Sequence, residues 1–194
     1  MPTHTIVLTV ALKIPDNEAR SALEALRVKM GLADDVIGLA REDVWELDVD
    51  AATAEDALAA AARLVAATNL FANPNKHRYA LADAGVPADR ARRACGDLSP
   101  DEAAVLVAER GDAAGASALR AVRRAGERSV TAVRRFARWR VRFAQPLSPV
   151  RPGLSELIRR IAVTESRGEG LLSNPHFQTA HAVLPWGEER TLVA

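Results

Sequence analysis

The sequence predicts an α+β fold: a ferredoxin-like βαββαβ sandwich over residues 1–81, followed by a mainly helical, Arg-rich extension. Three observations carry this. Thr5–Ile14 and Val44–Asp50 alternate apolar and polar residues with the two-residue period of half-buried strands. Ala19, Ala22, Leu23, Leu26 and Met30 recur at helical spacing, as do Ala57, Leu58, Ala61, Leu64, Val65 and Thr68. The charge also divides: residues 1–80 hold eight Lys/Arg against twelve Asp/Glu, and residues 81–194 hold eighteen Arg against thirteen Asp/Glu. Two modules are the simplest reading of that asymmetry.

In the first module, Pro15-Asp16-Asn17 breaks the opening strand, and Asp16 or Asn17 is placed to cap the first helix. Gly31 is its stop. Val36–Ala40 reads as a short strand, Arg41-Glu42-Asp43 as a polar turn, and Val44–Asp50 as the returning strand with Glu46, Asp48 and Asp50 on one face. Thr53 with Asp56 forms an approximate capping box for the second helix. Asn73-Pro74-Asn75 ends that helix, and His77–Leu81 is a last short strand. Helices returning to an antiparallel sheet give the sandwich.

Beyond residue 81 the pattern changes. Ala82–Pro87 reads as a linker and Ala88–Cys95 as a short helix. Ser99-Pro100-Asp101-Glu102 has the form of a helix start, predicting a helix to about Arg110 with Gly111 as its stop. Ala116–Arg138 predicts a longer helix, and Arg138–Ala144 is either a strand or the end of that helix. Pro146, Pro149 and Pro152 mark a stiff linker before a short amphipathic helix at Leu154–Glu165. The domain expectation is therefore 1–81, a helical Arg-rich module at 86–166, and an extended tail at 167–194. No repeat of twenty to fifty residues is visible. Leu70-Phe71-Ala72-Asn73-Pro74 echoes Leu172-Ser173-Asn174-Pro175, but Asn-Pro is a common turn dipeptide and coincidence is the simpler reading.

Composition excludes several classes. Apolar residues make up 48% and charged residues 26%, a globular balance. The single cysteine, Cys95, rules out a disulfide framework within the chain and makes a cytoplasmic location the expectation. No signal-peptide or membrane-span pattern is present. His4, His77, His176 and His181 are scattered, and His176 and His181 are spaced for neither a helical nor a strand pair of metal ligands. Arg92 and Arg93 flank Cys95, but a lone helical cysteine is more often a small buried residue than a nucleophile. No P-loop, G-x-S-x-G or G-x-G-x-x-G occurs. No catalytic residue, metal or cofactor is expected.

Several segments, in order, resemble a known family. These are Val10-Ala11-Leu12-Lys13, Ala22-Leu23 with Leu26, Val36 to Arg41, Trp45–Val49, Ala57 to Leu70, Leu70-Phe71-Ala72-Asn73-Pro74, and Tyr79. Together they resemble the small PurS subunit of purine-type formylglycinamidine synthases over residues 1–81. The likeness departs at Asp16–Ala19, Glu42–Val44 and Asn75–His77, all on turns and edges, as in a divergent member with a partner or substrate of its own. The resemblance implies a non-catalytic accessory subunit that dimerises or forms a higher homo-oligomer. It also implies a subunit that helps join a glutaminase to an ATP-dependent amidine-forming synthetase, so that ammonia passes between them. Lys13, Arg41, Asn73 and Pro74 are the partner-contact candidates it supplies. Trp186 is a further candidate, as an aromatic anchor in the tail, unless it folds back on its own domain.

Arg120 to Arg142 contains nine arginines and one acid, Glu127. Arg120, Arg123, Arg124, Arg134, Arg135, Arg138, Arg140 and Arg142 are candidates for an acidic partner, a phosphorylated ligand or a nucleic-acid backbone. The competing reading is a solvated face in an Arg-biased chain. An Arg-rich nucleic-acid-binding protein that dimerises through its α+β domain is the alternative function.

Overall fold

Residues 1–83, 98–166 and 170–193 are described by the computed structural model. The fold is α+β. The elements are β1 (Thr3–Leu12), α1 (Asn17–Glu24, continued by a π-helical turn Ala25–Lys29), β2 (Val36–Asp50), α2 (Ala54–Ala67) and β3 (His77–Asp83). They are followed by β4 (Glu102–Glu109), α3 (Ala113–Arg124), β5 (Val130–Phe143), α4 (Leu154–Ala162), β6 (Gln178–Val183) and β7 (Glu189–Val193). The seven strands form an antiparallel sheet in the order β3-β1-β2-β5-β4-β6-β7. Ala82 and Asp83, expected to open the linker Ala82–Pro87, belong to β3; the rest of that linker and the expected helix Ala88–Cys95 lie outside the described residues.

The element order β-α-β-α-β occurs twice, at 3–83 and at 102–183, with β7 added after the second copy. Matching residues then line up. Ser21-Ala22-Leu23, Ala25 and Arg27 of the first copy correspond to Ser117-Ala118-Leu119, Ala121 and Arg123 of the second. Arg41 and Trp45 correspond to Arg135 and Trp139. Asn73-Pro74 corresponds to Asn174-Pro175, each immediately before the strand that closes its copy. The echo between these dipeptides is therefore positional, not a coincidence of turn chemistry.

Several predicted elements change type. The helix expected at Ser99–Arg110 is a strand. Ser99 and Glu102 do bond reciprocally, Ser99 N to Glu102 Oε2 at 3.2 Å and Glu102 N to Ser99 O at 2.9 Å, but they close a turn. The run Ala103–Val107 is buried on both faces, as a central strand between two neighbours must be. The helix expected at 116–138 stops at Arg124, because Gly126 has φ +90° and the β-branched Val130, Thr131 and Val133 follow. The extended tail holds β6 and β7, joined through Gly187 at φ +84°. The turn at Arg41-Glu42-Asp43 is absent. β2 is one 15-residue strand whose mid-strand charges have partners: Asp43 with Arg135, and Arg41 with Asp16 and Glu18.

Other expectations hold. Asp16 caps α1, accepting from Glu18 N at 2.8 Å and Ala19 N at 3.4 Å. Thr53 caps α2, accepting from Asp56 N at 3.1 Å. In the second copy Asp112 takes the place of Asp16 and accepts from Gly115 N at 2.9 Å. The β4–α3 connection is tight, and Asp112 sits at φ 37°, a left-handed conformation that costs a non-glycine residue about 1 kcal/mol. Gly115 is required there: a Cβ would lie 2.2 Å from Asp112 Oδ2 and 2.5 Å from the Val133 carbonyl oxygen.

The chain divides into two compact units, each drawing on both copies of the repeat. The first contains β1, β3, α2, α3, the C-terminal part of β2 and the N-terminal part of β5. Its core holds Ile6, Leu8, Leu47, Val49, Leu64, Val65 and Phe71, with Ala118, Val122 and Val133 from the second copy. The second contains α1, β4, α4, β6, β7, the N-terminal part of β2 and the C-terminal part of β5. Leu26, Leu32 and Val36 there pack with Val105, Trp139, Phe143, Ile158, Ile161 and Leu184. Fully burying each large aliphatic or aromatic side chain contributes about 1.5–3 kcal/mol.

Candidate functional site

Three of the sequence-selected residues meet at one corner of the first unit. β1 delivers Lys13 beside the turn that precedes β3. Lys13 N donates to Lys76 O at 2.9 Å, and Lys13 Nζ donates to the Pro74 carbonyl at 2.6 Å. Asn73 organises the turn. Its side-chain oxygen accepts from Asn75 N at 2.9 Å, and its carbonyl accepts from Lys76 N at 3.0 Å and His77 N at 2.8 Å. Asn73 N donates to His77 Nδ1 at 3.0 Å, so that ring nitrogen is an acceptor and Nε2 carries the proton of the neutral ring.

The second unit builds the same corner from residues that sequence reading did not select. Arg110 N donates to Phe177 O at 2.9 Å and Arg110 Nη2 to the Pro175 carbonyl at 3.1 Å. Asn174 Oδ1 accepts from His176 N at 3.0 Å, and Asn174 O accepts from Phe177 N at 3.1 Å and Gln178 N at 2.9 Å. Gln178 Oε1 accepts from Asn174 N at 2.8 Å, replacing the His77 ring nitrogen. Every bond of the first corner has its counterpart. The signal that could have found the second corner was the Asn-Pro echo, together with a basic residue at the end of the preceding strand. Both corners present an exposed apolar side chain beside the basic residue or the turn, Ile14 at 69% and Phe177 at 70% exposure. A cation, an outward apolar group and a rigid turn suit protein contact.

The Arg-rich run separates into two populations. On β5, Arg134 reaches Glu46 Oε2 at 3.1 Å and Asp48 Oδ2 at 2.7 Å, and Arg135 reaches Asp43 Oδ1 at 2.8 Å. Arg140 pairs with Glu102, Arg142 Nε with Asp101 Oδ2 at 2.8 Å, and Arg138 is buried. The acidic face Glu46-Asp48-Asp50 is engaged within its own unit: Glu46 and Asp48 hold Arg134, Asp48 accepts from Thr5, and Asp50 accepts from Thr3. Arg120, Arg123 and Arg124 on α3 are exposed.

These pairs shape the carboxyl groups. The Arg142 hydrogen bond holds Asp101 below its ordinary range. Burial raises Glu102, but the Arg140 hydrogen bond and the Ser99 N–H together outweigh it and leave Glu102 lowered. The hydrogen bond from Arg190, aided by Trp186, lowers Glu188.

Arg41 and Trp186 do not join the corners. Arg41 lies over the Trp139 ring and pairs with Glu18 at 3.4 Å and Asp16 at 3.9 Å. Trp186 folds back: its ring packs against the core of the second unit and Nε1 donates to Glu188 Oε2 at 2.8 Å. Cys95, Arg92 and Arg93 lie outside the described residues. Among the described residues no group of three or more His, Cys, Asp or Glu is placed to hold a metal ion, and no helix is long and apolar enough to cross a membrane. No protein-family model matches the chain, and no curated protein matches it.

Proposed function

We propose that this chain is a PurS-like accessory subunit with no catalytic centre of its own, one that supports ammonia transfer between a glutaminase and an ATP-dependent amidine-forming synthetase in a specialised pathway. In this reading each copy of the repeat is a ferredoxin-like PurS module whose two middle strands are merged into one. One polypeptide then supplies both halves of the pairing for which a single-module subunit needs two chains. The observation that carries the reading is the duplicated corner. Lys13, Asn73 and Pro74 belong to the segments most similar to the family, and Arg110, Asn174 and Pro175 repeat their bonding with different side chains. Repetition of a bonding pattern by unlike residues supports a retained surface, and the exposed Ile14 and Phe177 beside it suit a protein partner.

The test is affinity purification of the tagged full chain from its own cells, followed by reconstitution. A glutaminase and a synthetase should co-purify, and adding the chain should raise glutamine-dependent turnover while leaving turnover on free ammonia unchanged. Absence of both partners, or full glutamine-dependent activity without the chain, overturns the proposal.

A second reading, nucleic-acid binding, retains, of the candidate arginines, the exposed Arg120, Arg123 and Arg124, since the β5 arginines with carboxylate partners would first have to break those pairs. It requires salt-sensitive binding to RNA or DNA that is lost in the triple alanine variant.

A further inference from the structure

The outer face of α1 forms a groove whose charges are left unpaired. The helix ends in a wider, π-helical turn over Ala25–Lys29, in which Met30 N donates to Ala25 O at 3.1 Å. Its inner face is buried through Ala19, Ala22, Leu26 and Met30. Its outer face, with Ala33 of the loop that follows, lines a depression of about 560 Å³ among Arg20, Leu23, Glu24, Arg27 and Val28. Leu23 rests on the core of the second unit, whereas Val28 is 75% exposed. Arg20 and Glu24 stand four apart and Glu24 and Arg27 three apart, spacings at which helical ion pairs form. Asp16 and Glu18, at the start of the helix, are held by Arg41. Arg20, Glu24 and Arg27 close no ion pair among the described residues. In the second copy α3 stays α-helical to Arg124, and Arg120 and Arg124 stand where Glu24 and Val28 do. The plus–minus–plus order and the exposed valine are therefore particular to α1.

We infer that this groove docks an amphipathic helix of a partner protein, one with two carboxylates two turns apart and a basic residue between them. Arg20 and Arg27 are seven residues apart, about 10 Å along the helix axis. A helix laid along α1 offers acids to both arginines when its own acids have the same seven-residue spacing. Glu24 then needs a lysine or arginine midway between those acids. Leu23, Val28 and Ala33 need an aliphatic seam beside the charges. A lone anion is a poorer occupant, because Glu24 stands between the two cations. A surface of uniform negative charge is disfavoured for the same reason. An alternating order of charge sets register and rejects wrong partners more than it adds affinity. The inference stands on α1 and does not depend on the accessory-subunit reading.

Two stapled, fluorescently labelled helical peptides test this against the full chain. One carries two glutamates seven residues apart, a lysine midway and a leucine seam; the other has every charge reversed. Fluorescence anisotropy should show the first binding about tenfold more tightly than the second. Arg20, Glu24 and Arg27 are exposed, so the variant combining Arg20→Glu, Glu24→Lys and Arg27→Glu should keep its circular-dichroism spectrum. That variant should reverse the preference. Val28→Lys should weaken binding of the first peptide about tenfold. Absence of binding by both peptides overturns the inference, as do equal affinities, a preference that the triple variant leaves unchanged, or full binding by Val28→Lys. So does displacement of the first peptide by an equimolar aliphatic dicarboxylate, which would mark the groove as a small-molecule site.

Discussion

The guanidinium carbon of Arg135 lies 5.7 Å from the centre of the Trp45 ring. Arg41 stands at the same 5.7 Å from Trp139. Arg41 and Trp45 are four residues apart on β2, Arg135 and Trp139 four apart on β5, and each arginine covers the tryptophan of the other copy. Each pairing thus lies within one unit while drawing on both copies. Trp45 also meets Phe71 edge-on, with ring centres 5.2 Å apart, so the stack anchors β2 to the turn region before β3.

Replacing Arg135 with alanine removes the ring contact and the Asp43 pair, which lies partly in solvent. The expected loss is about 1–2 kcal/mol, read by urea unfolding followed through tryptophan fluorescence. Lysine should recover less than half of it, since an ammonium cannot lie flat on the ring while holding the carboxylate. Full recovery by lysine would mean that only the charge matters.

Arg134 carries a larger consequence. Glu46 is 3% exposed and its carboxylate is held by Arg134 Nε. Arg134→Ala leaves that charge buried with one guanidinium fewer, at a cost of about 2 kcal/mol after discounting for the partial exposure of the arginine. Adding Glu46→Gln should return at least half of the loss, and a double-variant cycle in denaturant measures it. No recovery would place the cost in lost packing of the arginine stem instead.

These pairs also explain why the first copy was legible and much of the second was not. Ala57–Val65 shows clean periodicity because one face of the helix is buried and the other wet, while Thr5–Ile14, buried on both faces over Thr5–Leu8, is marked as a strand by its β-branched residues and its interleaved threonines. β4 has no wet face, so its alternation vanishes and the Ser99-Pro100-Asp101-Glu102 pattern points to a helix. The charges at Arg41-Glu42-Asp43 look like a turn because their partners, Asp16, Glu18 and Arg135, are distant in sequence. The corner was legible only once. Arg110 replaces Lys13 and Gln178 replaces His77, so the bonds recur while the letters do not.

The recurring corner gives a direct comparison. Asn73→Ala and Asn174→Ala each remove one side-chain acceptor from a turn amide, and each should cost about 1 kcal/mol. Because the two corners belong to different units, the double variant should lose the sum within about 0.5 kcal/mol. Thermal unfolding of the three variants measures it. A clear departure from the sum would mean that the corners are energetically coupled.

Acid should unfold the chain through its paired carboxyls. Glu102 and Glu127 both sit below the ordinary value of 4.5. Burial raises Glu102, but Arg140 and the Ser99 N–H outweigh it, while the Ser129 hydroxyl is the main cause for Glu127. A depressed folded pKa means that the unfolded chain takes up protons first as pH falls. The stabilisation is therefore complete above the unfolded value and is lost as pH drops through 4.5 toward the lower folded values. The melting temperature should hold steady from neutral pH to about 5 and then fall. Glu102→Gln should lower stability at neutral pH and flatten the acid limb, because glutamine bonds Arg140 without a proton to gain. An acid limb as steep in Glu102→Gln as in the wild type would show that this carboxylate does not set it.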